Sequence, residues 1–265
     1  MLSVEGVLAN LIDAPYIDYD RPWWASEYMD IIDIHPDYRF YLIGDFSTSR
    51  ISSISTNFIN KRLYEENFGS IDDFYSLILD GKWTFDKMRE LCSSVYKDLN
   101  ASGSTGYTDI LGSATSWSSQ IEHCTFAAGA KYTERGEDGY PVLLVDQSRN
   151  VEIAEKLYQL VYETEGVYYD PDYRSVIPAY YEMALKVKYA QDDVSVQLID
   201  LIYNNSTTDF IYVNNYIFTD AGNLGTISRT LIKDGSDDYM STYASMKKPL
   251  ETAFKKVFSK FAADK

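Results

Sequence analysis

Residues 243–261 read Tyr-Ala-Ser-Met-Lys-Lys-Pro-Leu-Glu-Thr-Ala-Phe-Lys-Lys-Val-Phe-Ser-Lys-Phe. Tyr243, Leu250, Phe254, Val257 and Phe261 recur at steps of three, four and seven, so an α-helix carries them on one face and lysines on the other. An amphipathic helix of this kind buries its stripe against neighbouring elements. The chain upstream supplies candidates for that contact. Val151, Ala154, Leu157, Tyr158 and Val161 mark a second periodic helix. Phe85, Met88, Cys92, Val95 and Leu99 mark a third, with Thr84 as its N-cap and Asp86 placed to suit the helix dipole.

Shorter helices are expected from Asn60, over Asp72–Leu79 with a stop at Gly81, and over Ser118–Ala128 with a stop at Gly129. Pro178 opens another through Ala190, and Asp193 starts the next through Ile202. Leu2, Val4, Val7, Leu8 and Leu11 form one short amphipathic turn set. Strands are few. Arg39-Phe-Tyr-Leu-Ile43, closed by Gly44-Asp45, reads as one, and Ser55–Ile59 as a second. Glu137-Asp-Gly-Tyr140 reads as a hairpin turn before the strand Val142–Val145. Asn100–Gly106 is turn-rich. The fold class is therefore α/β and helix-rich.

The chain has 265 residues, 45% of them hydrophobic, enough for a sizeable core. Its 24 Lys and Arg against 40 Asp and Glu give a formal charge of −16, and no clustered basic stripe for phosphates stands out. That balance speaks against nucleic acid as a partner and against anionic membrane surfaces. No apolar run is long enough to insert into a membrane. With two histidines, His35 and His123, and no HExxH or CxxC, a transition-metal site is not expected. Cys92 and Cys124 sit in apolar helical surroundings and read as buried free thiols, with a single bridge between them as the alternative that only geometry decides. The 24 tyrosines combine an apolar face with a polar tip, which suits carbohydrate-like ligands as well as half-buried packing. Residues 1–8 lack the basic and apolar regions of a secretion signal.

Several segments in combination carry a resemblance. They are Asp18-Tyr-Asp-Arg-Pro-Trp-Trp24, Tyr41-Leu-Ile-Gly-Asp45, Phe58-Ile-Asn-Lys-Arg-Leu63 and Gly81-Lys-Trp-Thr-Phe-Asp-Lys87. Ile177-Pro-Ala-Tyr-Tyr-Glu182, Lys188-Tyr-Ala-Gln-Asp-Asp193 and Asp200-Leu-Ile202 follow. Together they resemble the extracellular sugar-type solute-binding proteins (family 1) of bacterial ABC importers, in their Firmicutes variety. The resemblance implies a partial periplasmic-binding-protein type II architecture, a two-lobed clamp of which this chain is mainly one lobe. It also implies a sugar or oligosaccharide ligand, ABC importer membrane subunits as partners, and an extracellular, cell-surface-anchored location. Against that pattern the chain lacks an N-terminal portion with its signal and lipid-bearing cysteine, and an internal block whose junction lies near 166–176. Residues 1–50 would be a hinge-proximal irregular segment with a strand, and residues 51–265 the helix-rich lobe.

The candidate ligand-binding residues are Trp23, Trp24, Asp45, Thr115, Ser116 and Trp117. A flat indole stacks on the C–H face of a sugar, although large aromatics such as Trp23 and Trp24 are more often structural and read also as a core plug near the hinge. Asp45 could accept two sugar hydroxyls or simply end a turn. Thr115-Ser-Trp117 lies in a Gly/Ser/Thr-rich loop ahead of a helix, where hydroxyls and free amides either face ligand or cap the helix. Trp83, one residue before its N-cap, reads as a packing residue. Asp98, Asn100, Ser102 and Asp109 have the spacing of a degraded EF-hand-like calcium loop, with an Asx-built turn as the alternative. No other cofactor is expected. Asp192-Asp193 and Asp237-Asp238 are carboxylate pairs of the kind a glycosidase uses, but both stand beside helix starts, where acids are expected anyway. The expectation is a non-catalytic sugar carrier. The alternatives are a carbohydrate-active hydrolase using those pairs, or a truncated remnant without ligand.

Overall fold

A computed structural model of the chain describes residues 3, 5–47, 57–116, 120–144, 146–170, 194, 197, 198, 201, 202, 205 and 207–262. Its helices are α1 (Ser26–Ile32), α2 (Lys61–Phe68), α3 (Ile71–Leu79), α4 (Phe85–Val95), α5 (Gln120–Ala127) and α6 (Ser148–Tyr162). Near the C-terminus follow α7 (Phe210–Val213), α8 (Asn215–Phe218), α9 (Ile227–Asp234) and α10 (Tyr239–Ala262). Among the described residues the strands are short and form two pairs. β1 (Ser113–Ser116) lies parallel to β4 (Val167–Asp170), and β2 (Thr133–Arg135) lies antiparallel to β3 (Pro141–Leu143). The chain is α/β and helix-rich, as its periodicity implies.

The stripe on α10 is buried as its spacing requires. Leu250 is fully buried, and Tyr243, Phe254, Val257 and Phe261 are buried beside it. Phe254 meets Phe218 of α8 at 4.7 Å between ring centroids, and Ile153, Leu157 and Val161 of α6 belong to the same core. Ile227, Leu231 and Ile232 of α9 complete it. Pro249 removes one helical N–H, yet buried residues on both sides of it stay on one face. The N-terminal region joins this core too. Ile34, Tyr38 and Phe40 pack against it, Tyr38 Oη donates to the Phe261 carbonyl (3.0 Å), and Asn214 Nδ2 donates to the Ile32 carbonyl (3.1 Å).

Capping sets several boundaries. Asn60, Ser70 and Thr84 side chains accept from Leu63, Asp72 and Lys87 backbone amides and start α2, α3 and α4. Asp209, 3% exposed, accepts from the amides of Tyr132, Thr133 and Ile211 and from Thr133 Oγ1, which ties β2 to the start of α7. The β2–β3 turn needs Gly139. Its φ is +81°, and a Cβ there would stand 2.6 Å from His35 Nε2. Gly166, also at positive φ, lets β4 begin against α4, since a Cβ would lie 2.7 Å from the Cys92 carbonyl oxygen.

Four expectations change. Arg39–Ile43 forms no ladder; its backbone bonds include Leu11 N–H to the Arg39 carbonyl (2.8 Å) and Ala25 N–H to the Ile43 carbonyl (2.9 Å), and the next residue, Gly44, makes a single bridge with Trp24. The neighbouring chain is turn-rich, so it offers no second edge. α4 stops at Val95 rather than running to Leu99, because Lys97 and Ile110 exchange backbone hydrogen bonds (3.2 and 3.1 Å) and draw the chain away. Leu99 is consequently 62% exposed. Thr115 and Ser116 lie in strand β1 rather than in a loop. Described residues among 3–11 form turns and bends, with Val7 exposed. The helix expected over 178–190 lies outside the described residues, as do 55 and 56 of the strand expected there. Within 193–202, residues 194, 197, 198, 201 and 202 are helical. Cys92 and Cys124 are both free thiols, Cys92 buried and Cys124 partly so.

Truncating the fully buried Leu250 to Ala should cost about 3 kcal/mol, whereas Lys256→Ala on the exposed face of the same helix should change stability by less than about 0.5 kcal/mol. Urea unfolding of the two variants checks both values.

Candidate ligand-binding cavity

A cavity of about 450 Å³ opens between α1, the turn that follows it and the irregular segment before it. Its walls are Ile12, Tyr19, Asp20, Ser26, Asp30, Asp33, Pro36, Arg39 and Arg135. Helix α1 places these groups by its own amphipathicity. Met29 and Ile32 face the core, which leaves Asp30 on the cavity side, and Asp33 is the C-cap, its N–H bonded to the Met29 carbonyl. Arg39 enters from the extended segment beyond Pro36 and Asp37. Leu11 N–H and Asn10 Oδ1 grip its backbone, and its side chain turns inward to 5% exposure.

The guanidinium of Arg39 organises this space. Nε donates to Asp33 Oδ2 (2.9 Å), and Nη2 reaches the same oxygen at 2.8 Å and also Asp30 Oδ1. Its Cζ sits 4.6 Å from the centroid of the Tyr19 ring. Arg135 arrives from β2 and donates to the carbonyls of Gly139 (3.1 Å), Asp30 (2.6 Å) and Asp33 (3.0 Å). Tyr19 Oη donates to the Leu11 carbonyl (2.6 Å), and Ser26 Oγ donates to the Tyr19 carbonyl (2.8 Å). Asp33 Oδ1 is shielded from solvent and accepts no hydrogen bond. Burial pushes the Asp33 carboxyl up to about 6 even with Arg39 and Arg135 opposing the shift.

The sequence-derived candidates lie around this cavity or away from it. Trp24 packs between Tyr19 (5.9 Å) and Phe46 (5.5 Å), so it stands behind the cavity wall. Trp23 is 48% exposed with Arg21 over its ring at 5.9 Å. Asp45 is exposed, its amide bonded to the Trp23 carbonyl (2.9 Å), which joins the Tyr41–Asp45 segment to the Pro-Trp-Trp segment. Thr115 and Ser116 pair in register with Tyr169 and Asp170 of β4. Trp117 lies outside the described residues. Trp83 meets Phe74 of α3 edge-on at 5.0 Å, a packing contact.

In the Asp98–Asp109 loop, Asp98 accepts from the amides of Asn100, Ser102 and Gly103, and Asn100 Oδ1 from Ser102 N. Asp109 accepts from Leu99 and Gly106 amides. These bonds build the Asx-type turn. Among the described residues, no group of three or more His, Cys, Asp or Glu side chains is arranged to hold a metal. Asp238 Oδ1 accepts from Ser241 N (3.0 Å) and so caps α10, while Asp192 and Asp193 lie outside the described residues.

Asp30, Asp33, Arg39 and Arg135 were not singled out by the sequence as site residues. Asp30 and Asp33 do carry a local signal, since they flank the two isoleucines at the end of α1. Arg135 carries none: it comes from about a hundred residues away. A second interior carboxylate, Glu122 of α5, is 1% exposed and stands 2.8 Å from Arg229 Nε as an ion pair rather than a directed hydrogen bond. Burial pushes it up to about 7, with Arg229 opposing.

A carboxyl raised in the folded state favours folding fully below its unfolded pKa, and that contribution is lost as pH rises through the folded value. For Glu122 the window runs from about 4.5 to about 7. Glu122→Gln should therefore gain stability relative to the parent protein between pH 5 and pH 7.5, by up to about 3 kcal/mol. Denaturant unfolding at both pH values measures the difference. No family model, no curated protein and no solved structure matches this chain.

Proposed function

We propose that this chain is the solute-capturing component of an ABC importer, binding a sugar or oligosaccharide without reacting on it. The observation that carries the reading is the cavity of about 450 Å³ walled by Asp20, Asp30, Asp33 and two arginines. That volume lies in the range of small-molecule sites, and its few polar groups are held in place by one another. Arg39 fixes two carboxylates at once, so they do not have to be ordered when ligand arrives. The Pro-Trp-Trp, Asn-Lys-Arg-Leu and Gly-Lys-Trp-Thr segments support the same reading through their resemblance to sugar-type solute-binding proteins. The partial two-lobed clamp, the extracellular location and docking to importer membrane subunits belong to this proposal. For the alternative hydrolase reading, Asp238 accepts the Ser241 amide at the start of α10, and Asp192 and Asp193 lie outside the described residues.

Within this proposal, no helix of the described residues is long and apolar enough to cross a membrane, so the importer's membrane subunits would supply the passage. Calorimetric titration with mono- and oligosaccharides should show saturable binding, and a reducing-end assay should show no cleavage. Asp30→Asn alters a side chain that is 67% exposed and should weaken binding about fivefold or more while leaving the fold intact. Cleavage of the sugar, or absence of binding by every sugar tried, would overturn the proposal.

A further inference from the structure

The hydrogen-bonding capacity left over in the cavity is one-sided. Its donors are largely committed to protein acceptors: the Tyr19 hydroxyl to Leu11, the Ser26 hydroxyl to Tyr19, and the Arg135 guanidinium to three carbonyls. Arg39 is turned toward Asp33 and Asp30 and covers one face of the Tyr19 ring. What remains are acceptors. Asp20 is exposed, Asp30 has a carboxylate that is 67% exposed, and Ser26 keeps its lone pairs. Asp33 lines the cavity with a side chain only 3% exposed, and its Oδ1 has no partner. Three carboxylates face two guanidiniums, which leaves one negative charge in excess.

A hydroxyl brings a donor together with lone pairs that need donors of their own, whereas an ammonium brings three donors and no acceptor. We propose that the ligand of this cavity carries a protonated amine, an amino sugar being the class that joins this chemistry to the sugar-binding reading on which the inference rests. The ammonium would lie between Asp30 and Asp20, with the buried Asp33–Arg39 pair behind it. Asp33, with an unpaired Oδ1 and a side chain only 3% exposed, adds a buried negative charge to the wall behind that position. The Tyr19 face already holds a cation, so stacking of a neutral sugar there is obstructed on that side.

The test compares glucosamine, N-acetylglucosamine and glucose by calorimetry on the full chain at low and at high salt. Acetylation removes the charge from the ligand, so this comparison leaves the protein untouched. Glucosamine is expected to bind about tenfold more tightly than either neutral sugar, with an advantage that shrinks as salt is raised. Asp20→Asn and Asp30→Asn, both on exposed side chains, should weaken glucosamine binding far more than glucose binding and so remove most of that advantage. Equal or tighter binding of the neutral sugars overturns the inference and leaves the sugar-binding reading standing. Tight binding of a plain diamine such as putrescine, with no sugar bound, keeps the amine site and overturns the sugar reading. Absence of binding by sugars and diamine alike overturns both.

Discussion

The apolar stripe of α10 runs the length of a 24-residue helix and meets elements drawn from both ends of the chain. Phe254 meets Phe210 of α7 and Phe218 of α8, Leu250 belongs to the same core as residues of α6, and Phe261 reaches Tyr38 and Phe40 near the N-terminus. Burial of this stripe is strongly favourable, and helices as short as α7 to α9 depend on such packing to hold their shape. The strand pairs are too short for independent stability. Their order comes from the helices packed on them, as the close approach of Gly166 to Cys92 shows.

Polar groups inside this framework follow a second logic. Asp209 is buried, yet four donors, the Tyr132, Thr133 and Ile211 amides and the Thr133 hydroxyl, satisfy its carboxylate, and it joins distant segments as a fixed crosslink. Asp33 and Glu122 are not satisfied to the same degree, and burial raises both. Unmet polar capacity in a packed interior is costly, so where it borders open space it marks where a ligand can contribute more than solvent does. Asp33 borders such a space and Glu122 borders none that is described.

The legible parts of the fold were those governed by local spacing and local hydrogen bonds. The stripes of α6 and α10, the caps at Asn60 and Thr84, and the glycine stop after α5 all depend on residues within a turn or two of one another. The end of α4 was not legible, because it is set by Ile110, thirteen positions beyond Lys97 in sequence and bonded to it through the backbone. Arg39–Ile43 has the aromatic and branched residues of a strand, but composition cannot supply a second strand to pair with. Of the residues the sequence suggests, Trp24 packs against Tyr19 of the cavity wall, while the charged groups that line the cavity share no sequence pattern that groups them.

By itself the sequence determined the helix-rich α/β character, the faces of its longest helices and the excess of negative charge, because each follows from composition or from periodicities of a few residues. Only the tertiary structure decided where a usable cavity lies. Arg39 and Arg135 are 96 positions apart in sequence and converge on the carboxylate and the backbone carbonyl of the same Asp33. No spacing rule encodes that meeting; it exists because core packing brings α1 and the β2–β3 hairpin to one side of the molecule.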